Sequence, residues 1–382
     1  LIEKFAKKIA INADEDEENK ARIIDLYLKE NIYISESGND ELKELKKVLT
    51  SKTANERGII KLYIALFKQF DITHEMVLTT NRLELKFDKE FEATTFLQEF
   101  LFYFPASKKY LSPSKFGTRF GFPPPYFMNN FGLFVTGYDI NGKRKAFSEV
   151  KFIEGIPASL SSDEMFIEVN FNTEDLTKNT IALERKLNGY YAMNLHPFMN
   201  LIQPNRINEV IDQYFVQNSD KNAKVLKREF INKDPSLFGV KPFVVKFDIN
   251  SEYFVEKKGD KYLFKLGDLI GPQMEMQQEK KRILPLEAEF NRSYYRTIKI
   301  HIPEGYQISN LEDIIIKNSY TTKDKELFIF DSYYTLEGNV LTVTADEHYR
   351  ETFVAPEIFE AYRTVINSAA DFNKVTLVLE PK

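Results

Sequence analysis

Ser51-Lys-Thr-Ala-Asn-Glu-Arg-Gly-Ile-Ile-Lys-Leu-Tyr-Ile-Ala-Leu-Phe-Lys-Gln-Phe-Asp-Ile72 is a polar loop that runs into a helix. Ile60, Tyr63, Ile64, Phe67 and Phe70 recur at the three- and four-residue spacing that puts side chains on one helical face. That face must be buried. The aliphatic stretch His74 to Thr80 follows and predicts a strand packed nearby.

Upstream, residues 2–10 and 17–31 predict two more amphipathic helices. In the second, Ala21, Ile24, Leu28 and Ile32 form the apolar stripe. The acidic run Asp14 to Glu18 opens it, where a helix dipole favours negative charge. Read as a calcium loop, the run lacks the required glycine and ligand spacing.

Downstream, strands are expected near 83–87 and over Phe96-Leu-Gln-Glu-Phe-Leu-Phe-Tyr-Phe104, then from Lys109-Tyr-Leu-Ser-Pro-Ser114. Phe122-Pro-Pro-Pro-Tyr126 reads as a rigid turn. From about residue 138, alternating apolar segments and turn dipeptides predominate. Asn141-Gly142, Gly259-Asp260 and Glu337-Gly-Asn339 mark hairpins. Strands are expected near 146–153, 164–171, 180–185, 243–249, 252–256 and 261–266, with a helix between Leu201 and Tyr214. The polar segment 271–282 reads as a linker. Beyond it come the alternating Arg296 to Tyr306, a helix near 356–370 and a last strand from Lys374 to Leu379.

The chain has 382 residues, 43% apolar and 29% charged, which is globular composition with room for two or three cores. A net charge of -5 offers no basic excess for a nucleic-acid backbone. No apolar run reaches the ~18 residues of a membrane span. The absence of cysteine excludes disulfides, thiolate metal sites and a thiol nucleophile together. The abundance of Phe (33) and Tyr (20) favours β-rich architecture. His74, His196, His301 and His348 are scattered, without the paired spacing of metal ligands, and His74 reads as structural. Gly-rich phosphate loops, nucleophile elbows and zinc helices are all missing, and Ser159-Leu-Ser-Ser162 reads as a turn. No cofactor or metal is expected.

The order loop, buried helix, strand resembles the nucleophile segment of the transglutaminase-like branch of the papain superfamily. There a Gly-x-Cys-x-Asp-x-Ala pattern leads into an apolar helix ending in Leu-Gly-Ile. Placing Ile72 on that Ile sets Glu56 at the cysteine position and Gly58 at the Asp. Glu18 to Tyr33 is similar to the family's entry helix, which ends in Asn-Ile-x-Tyr. Phe96 to Phe104 resembles the strand carrying the catalytic histidine, with Glu99 in its place, or Gln98 if the alignment slips by one. Lys109 to Ser114 resembles Tyr-x-Leu-Asp-Pro-Thr, with Ser112 at the Asp.

The resemblance implies an α+β fold: a papain/transglutaminase-like core domain followed by two antiparallel β-sandwich-type domains. The expected divisions are 1–137 for the core, 138–282 for a β-rich sandwich domain with an inserted helix and 283–382 for a small C-terminal β-domain. It implies no triad chemistry, because the degenerate positions hold Glu56, Glu99 and Ser112. A carboxylate is a poor acyl-transfer nucleophile and cannot act as an imidazolium does. The expected role is a binding or scaffolding module for a protein, peptide or glycan. The resemblance alone adds a periplasmic or secreted location at a bacterial envelope, and a further β-domain upstream of Leu1. The alternative is a carboxylate-based hydrolase, with glycans as a candidate substrate, using Glu56 and Glu99 as paired carboxylates in the inherited cleft. It predicts that the two converge in an open groove lined by aromatics.

Overall fold

The computed structural model describes residues 1–140, 143–217 and 219–382. The hairpin turn expected at Asn141-Gly142 lies outside them. The chain forms two compact units, Leu1–Ile156 and Pro157–Lys382, and is α+β throughout.

The first unit opens with α1 (Ile2–Ala6), α2 (Glu17–Asn31), β1 (Tyr33–Ile34), α3 (Leu45–Ser51), β2 (Thr53–Ala54) and α4 (Glu56–Gln69). Asp16 starts α2 by accepting from the Asn19 amide at 2.8 Å, so the acidic run supplies a helix cap. Asn55 starts α4 by accepting from the Gly58 amide at 2.9 Å. β1 and β2 pair in parallel over two residues each.

Next come β3 (Glu75–Thr79), β4 (Glu99–Phe104), β5 (Lys109–Leu111), β6 (Asn130–Ile140) and β7 (Lys143–Ile153). They form an antiparallel sheet in the order β5-β4-β3-β6-β7. The apolar stripe of α4 lies on one face of this sheet. Tyr63 and Phe67 are fully buried, and the Phe67 ring stands 5.2 Å from Phe102 and 5.4 Å from Phe104 of β4. Ala21, Ile24, Leu28 and Ile32 of the α2 segment join the same core. Leu101, alternating with Phe102 along β4, points to the opposite face, where it meets Val77, Phe127, Phe134 and Ile153.

The second unit contains β8 (Ser162–Phe171), β9 (Asn179–Leu187), α5 (Tyr190–Met193), α6 (Ile207–Phe215), β10 (Lys224–Ile231), β11 (Phe243–Ser251), β12 (Val255–Lys258) and β13 (Lys261–Phe264). It continues with β14 (Leu286–Glu287), β15 (Arg292–His301), β16 (Tyr306–Ile308), β17 (Ile316–Thr321), β18 (Glu326–Glu337), β19 (Val340–Tyr349), β20 (Phe353–Val354), α7 (Phe359–Asn373) and β21 (Leu377–Pro381). Eight strands make one sheet, β10-β11-β9-β8-β15-β19-β18-β17, and four make another, β12-β13-β21-β16. The two sheets meet where Phe171 of β8 stands 5.4 Å from Phe264 of β13. α7 covers β18 through Phe372 on Phe330 and Tyr362 on Phe328, and meets β17 where Asn318 Nδ2 donates to Ser368 Oγ at 2.8 Å.

This arrangement corrects several expectations. The boundary at 137/138 falls inside β6, whose hairpin with β7 completes the first unit's sheet. The boundary at 282/283 separates β8 from β15, which pair in parallel from Ser162↔Ser293 to Asn170↔His301. In place of two separate antiparallel domains, strands from both expected domains share one large mixed sheet and one smaller sheet, because a long crossover returns β15 beside β8. Segment 271–282 does not link domains. It is tied to α7, with the Met276 amide donating to Asn367 Oδ1 at 2.7 Å. Residues 83–87 do not form the expected strand: the chain turns at 82–84, with Asn81 accepting from the amides of Leu83, Glu84 and Leu85 and leaving Leu83 and Leu85 exposed. The first helix stops at Ala6.

Candidate functional site

Three elements of the first unit meet near the start of α4. Glu56 is its first helical residue, where its charge complements the helix dipole. Glu99 opens β4, and Ser112 directly follows β5, the antiparallel neighbour of β4. Ser114 Oγ donates to Glu56 Oε1 at 3.0 Å, and Lys115 Nζ stands 3.2 Å from Glu99 Oε2. The Lys115 ammonium also lies 5.8 Å from the centre of the Phe127 ring.

Burial pushes the Glu99 carboxyl up from its ordinary value. Lys115 opposes that shift, while the negative charges of Glu56 and Glu84 reinforce it. Glu56 and Glu99 therefore feel each other's charge, with Lys115 beside the second. Ser112 takes a different role. It is fully buried, and its hydroxyl has no hydrogen-bond partner among the described residues. Ser114 and Lys115, just past it on the same loop, are the side chains that reach the two glutamates.

A cleft of about 450 Å³ opens over the start of α4, lined by Ser35, Glu36, Asp40, Glu56, Ser114 and Lys115 among others. Among the described residues Ile34 is the one apolar side chain of the lining and none is aromatic, contrary to what a saccharide-cleaving groove would present. The lining carries both signs of charge, with Glu36, Asp40 and Glu56 facing Arg57 and Lys115.

Behind the cleft, a buried network ties α2 to α4. Asp25 accepts from Tyr63 OH at 2.8 Å and from the Phe120 amide at 2.8 Å, and pairs with Lys29 Nζ at 2.8 Å. Lys29 also donates to the Thr118 carbonyl at 2.8 Å. Burial pulls the Lys29 ammonium down to about 8, against the stabilising charge of Asp25. Lys29 Nζ spends its donors on Asp25 and on the carbonyl and hydroxyl of Thr118, so the network holds α2, α4 and the 115–121 loop in register.

No histidine is among the described residues that line this cleft. His74 Nδ1 is 2.9 Å from the Ile72 carbonyl, and its ring packs on Phe67 and Phe102 at the far end of α4. His196 is buried with Nε2 2.8 Å from the Asp234 carbonyl, and His301 Nε2 is 2.6 Å from Glu168 Oε1. His348 lies against Tyr295, and burial lowers its pKa. Among the described residues no three His, Asp or Glu side chains are grouped to hold a metal, and no helix is long and apolar enough to cross a membrane.

The sequence also has likenesses elsewhere. The family model described as a domain of unknown function with a solved structure, DUF3858, matches residues 265–379, less than half of the chain and wholly within the second unit. No curated protein matches the chain. Among solved structures, one described as a "putative protease" from Parabacteroides distasonis ATCC 8503 is 12% identical, with a TM-score of 0.49. The likeness covers 99% of this chain and 55% of that protein, so the chain spans little more than half of its length.

Proposed function

We propose that the first unit is a transglutaminase-like core whose catalytic positions have been replaced, and that its cleft binds a protein, peptide or glycan without turning it over. The envelope location expected from the family resemblance belongs to the same proposal. The observation that carries it is the placement of Glu56 on the first turn of α4 with its carboxylate held by Ser114, beside a Glu99 held by Lys115. The order helix start, strand, strand suits a thiol–imidazole–carboxylate triad, but the side chains present supply neither thiol nor imidazole. Hydrogen bonding and ion pairing hold both carboxylates, which suits recognition of a ligand's donors better than attack on a carbonyl.

A second reading rests on Glu99, whose carboxyl is raised chiefly by burial and stands in the same site as a second carboxyl, the pairing that general-acid hydrolysis uses. The polar lining without aromatics argues against it.

Peptide phage display against the purified chain, alongside transamidation and peptide- and glycan-hydrolysis assays, separates the two. The first reading expects selected ligands whose binding is lost in the cleft-filling variant Ser114→Trp, with no turnover in any assay. Turnover that Glu56→Gln and Glu99→Gln each abolish would establish the hydrolase and overturn the binding reading.

A further inference from the structure

The second unit has a cleft of its own. Four neighbouring strands of the large sheet bring their ends to one rim: β8, β9, β11 and β10. Asn172 follows the end of β8, Asn179 and Thr180 open β9, Asn250 and Ser251 close β11, and Lys224 opens β10. The register places Thr180 opposite Asn250 and Asn179 opposite Ser251. With Asp220, Asn222, Glu252 and Tyr253 these residues line a cleft of about 640 Å³.

The lining is built in two layers. At the base, Ser251 Oγ donates to Asp220 Oδ2 at 2.5 Å, the Asn222 amide donates to Asp220 Oδ1 at 2.8 Å, and Asp220 is buried. Asn179 is 3% exposed, and its Oδ1 has no hydrogen-bond partner among the described residues. A buried acceptor left this way is costly unless a donor arrives to satisfy it. Above this base, Asn250 Oδ1 accepts from Thr180 at 3.2 Å, which leaves its amide hydrogens for a ligand. The Tyr253 ring, 44% exposed, is held by Lys265 Nζ at 4.3 Å from its centre and by its hydroxyl donating to Asp268 Oδ2 at 3.0 Å.

The chemistry narrows the ligand. Lys178 and Lys224 balance Asp220 and Glu252, so the cleft carries no excess charge to draw phosphate. Among the described residues Tyr253 is the one aromatic of the lining and none is aliphatic, so an apolar ligand finds no bed. What the lining offers is side chains that both donate and accept, with one fixed ring. Vicinal hydroxyls need that combination, and the apolar face of a pyranose can lie against the ring.

We propose that this rim is a binding site for a neutral saccharide, recognised through Asn179, Asn250 and Glu252 with Tyr253 as the platform. The site lies in the second unit and does not depend on what the α4 cleft does.

Isothermal titration of the full chain with maltohexaose, cellohexaose, xylohexaose, mannohexaose and chitohexaose tests it, with circular dichroism confirming that each variant folds. At least one saccharide is expected to bind, to weaken about tenfold in both Asn250→Ala and Tyr253→Ala, and to bind equally well at low and high salt. Three results would overturn the assignment: no binding by any of the five, binding indifferent to both substitutions, or binding abolished by Ser114→Trp instead. The last would move the saccharide to the α4 cleft.

Discussion

Gly58 is the third residue of α4, and two opposing effects meet there. A glycine inside a helix is about 1 kcal/mol less favourable than alanine, so propensity alone favours Gly58→Ala. A Cβ at this position, however, would stand 2.0 Å from the Leu42 carbonyl oxygen and 3.1 Å from Val48 Cγ2. The first of these is backbone, which cannot swing aside as a side chain can. Overpacking typically costs about 1–3 kcal/mol, and this contact is far inside van der Waals distance. The steric effect therefore wins, and Gly58→Ala is expected to lower stability by about 2 kcal/mol in denaturant titration. A stabilised variant would show that the 40–44 segment yields readily.

At the scale of elements, the β8–β15 pairing is the junction of the large sheet, and an ion cluster closes one end of it. Asp163 on β8 accepts from Arg185 Nε and Nη2 on β9 at 2.8 and 2.6 Å, and pairs with Arg296 on β15 at 3.0 Å. Burial by itself would raise the Asp163 carboxyl, but the two guanidinium groups overcome it and hold it at about 2, against an ordinary 3.8. A carboxyl depressed in the folded state adds stability that is complete above about pH 4 and is lost as pH falls toward 2. The shift corresponds to about 2 kcal/mol. Asp163→Asn is expected to remove that part of the acid dependence, seen as a flatter fall in stability between pH 4 and 2. It is also expected to lower neutral-pH stability by about 3–5 kcal/mol by leaving Arg185 and Arg296 buried without their anion. An acid profile parallel to that of the parent would show that the cluster does not carry its charge into the fold.

Which of these elements the sequence could disclose follows from the range of the forces. The stripes of α2 and α4 are periodic and local, and the structure buries them as their spacing requires. The turns at Gly259 and Gly338 have positive φ (66° and 63°), so glycine there marks a hairpin directly. β10 escaped notice because it is a sheet edge with both faces wet, and Lys224, Lys227 and Arg228 hide its alternation. The parallel partnership of β8 and β15 joins residues more than a hundred positions apart, and no local signal encodes it. The site divides the same way. The positions of Glu56 and Glu99 follow from a helix start and a strand start, whereas their partners Ser114 and Lys115 depend on the course of a loop. Ser112, two residues earlier in that loop, turned into the core instead.

At the scale of the whole molecule, the seam decides where the chain can be divided. The first unit closes its sheet with the β6–β7 hairpin and has its own two cores, so among the described residues a cut at 156/157 severs no strand pairing. A cut at 282/283 separates β15 from β8 along nine paired residues and β21 from β13 along three. It also exposes the apolar face shared by Ile167 and Val169 of β8 with Ile298 and Ile300 of β15, all buried. The DUF3858 match begins at residue 265, after both β8 and β13, so the matched stretch lacks the same two partners. Fragments 1–156 and 157–382 are each expected to unfold cooperatively by circular dichroism. Fragments 283–382 and 265–379, left with an unpaired β15 edge, should give poorly dispersed amide spectra and associate. Hydrogen exchange on 157–382 supplies the positive control, with β8 and β15 amides among the slowest. A monomeric, cooperatively folding 283–382 with protected β15 amides would mean that the parallel seam joins two folded halves instead of making one.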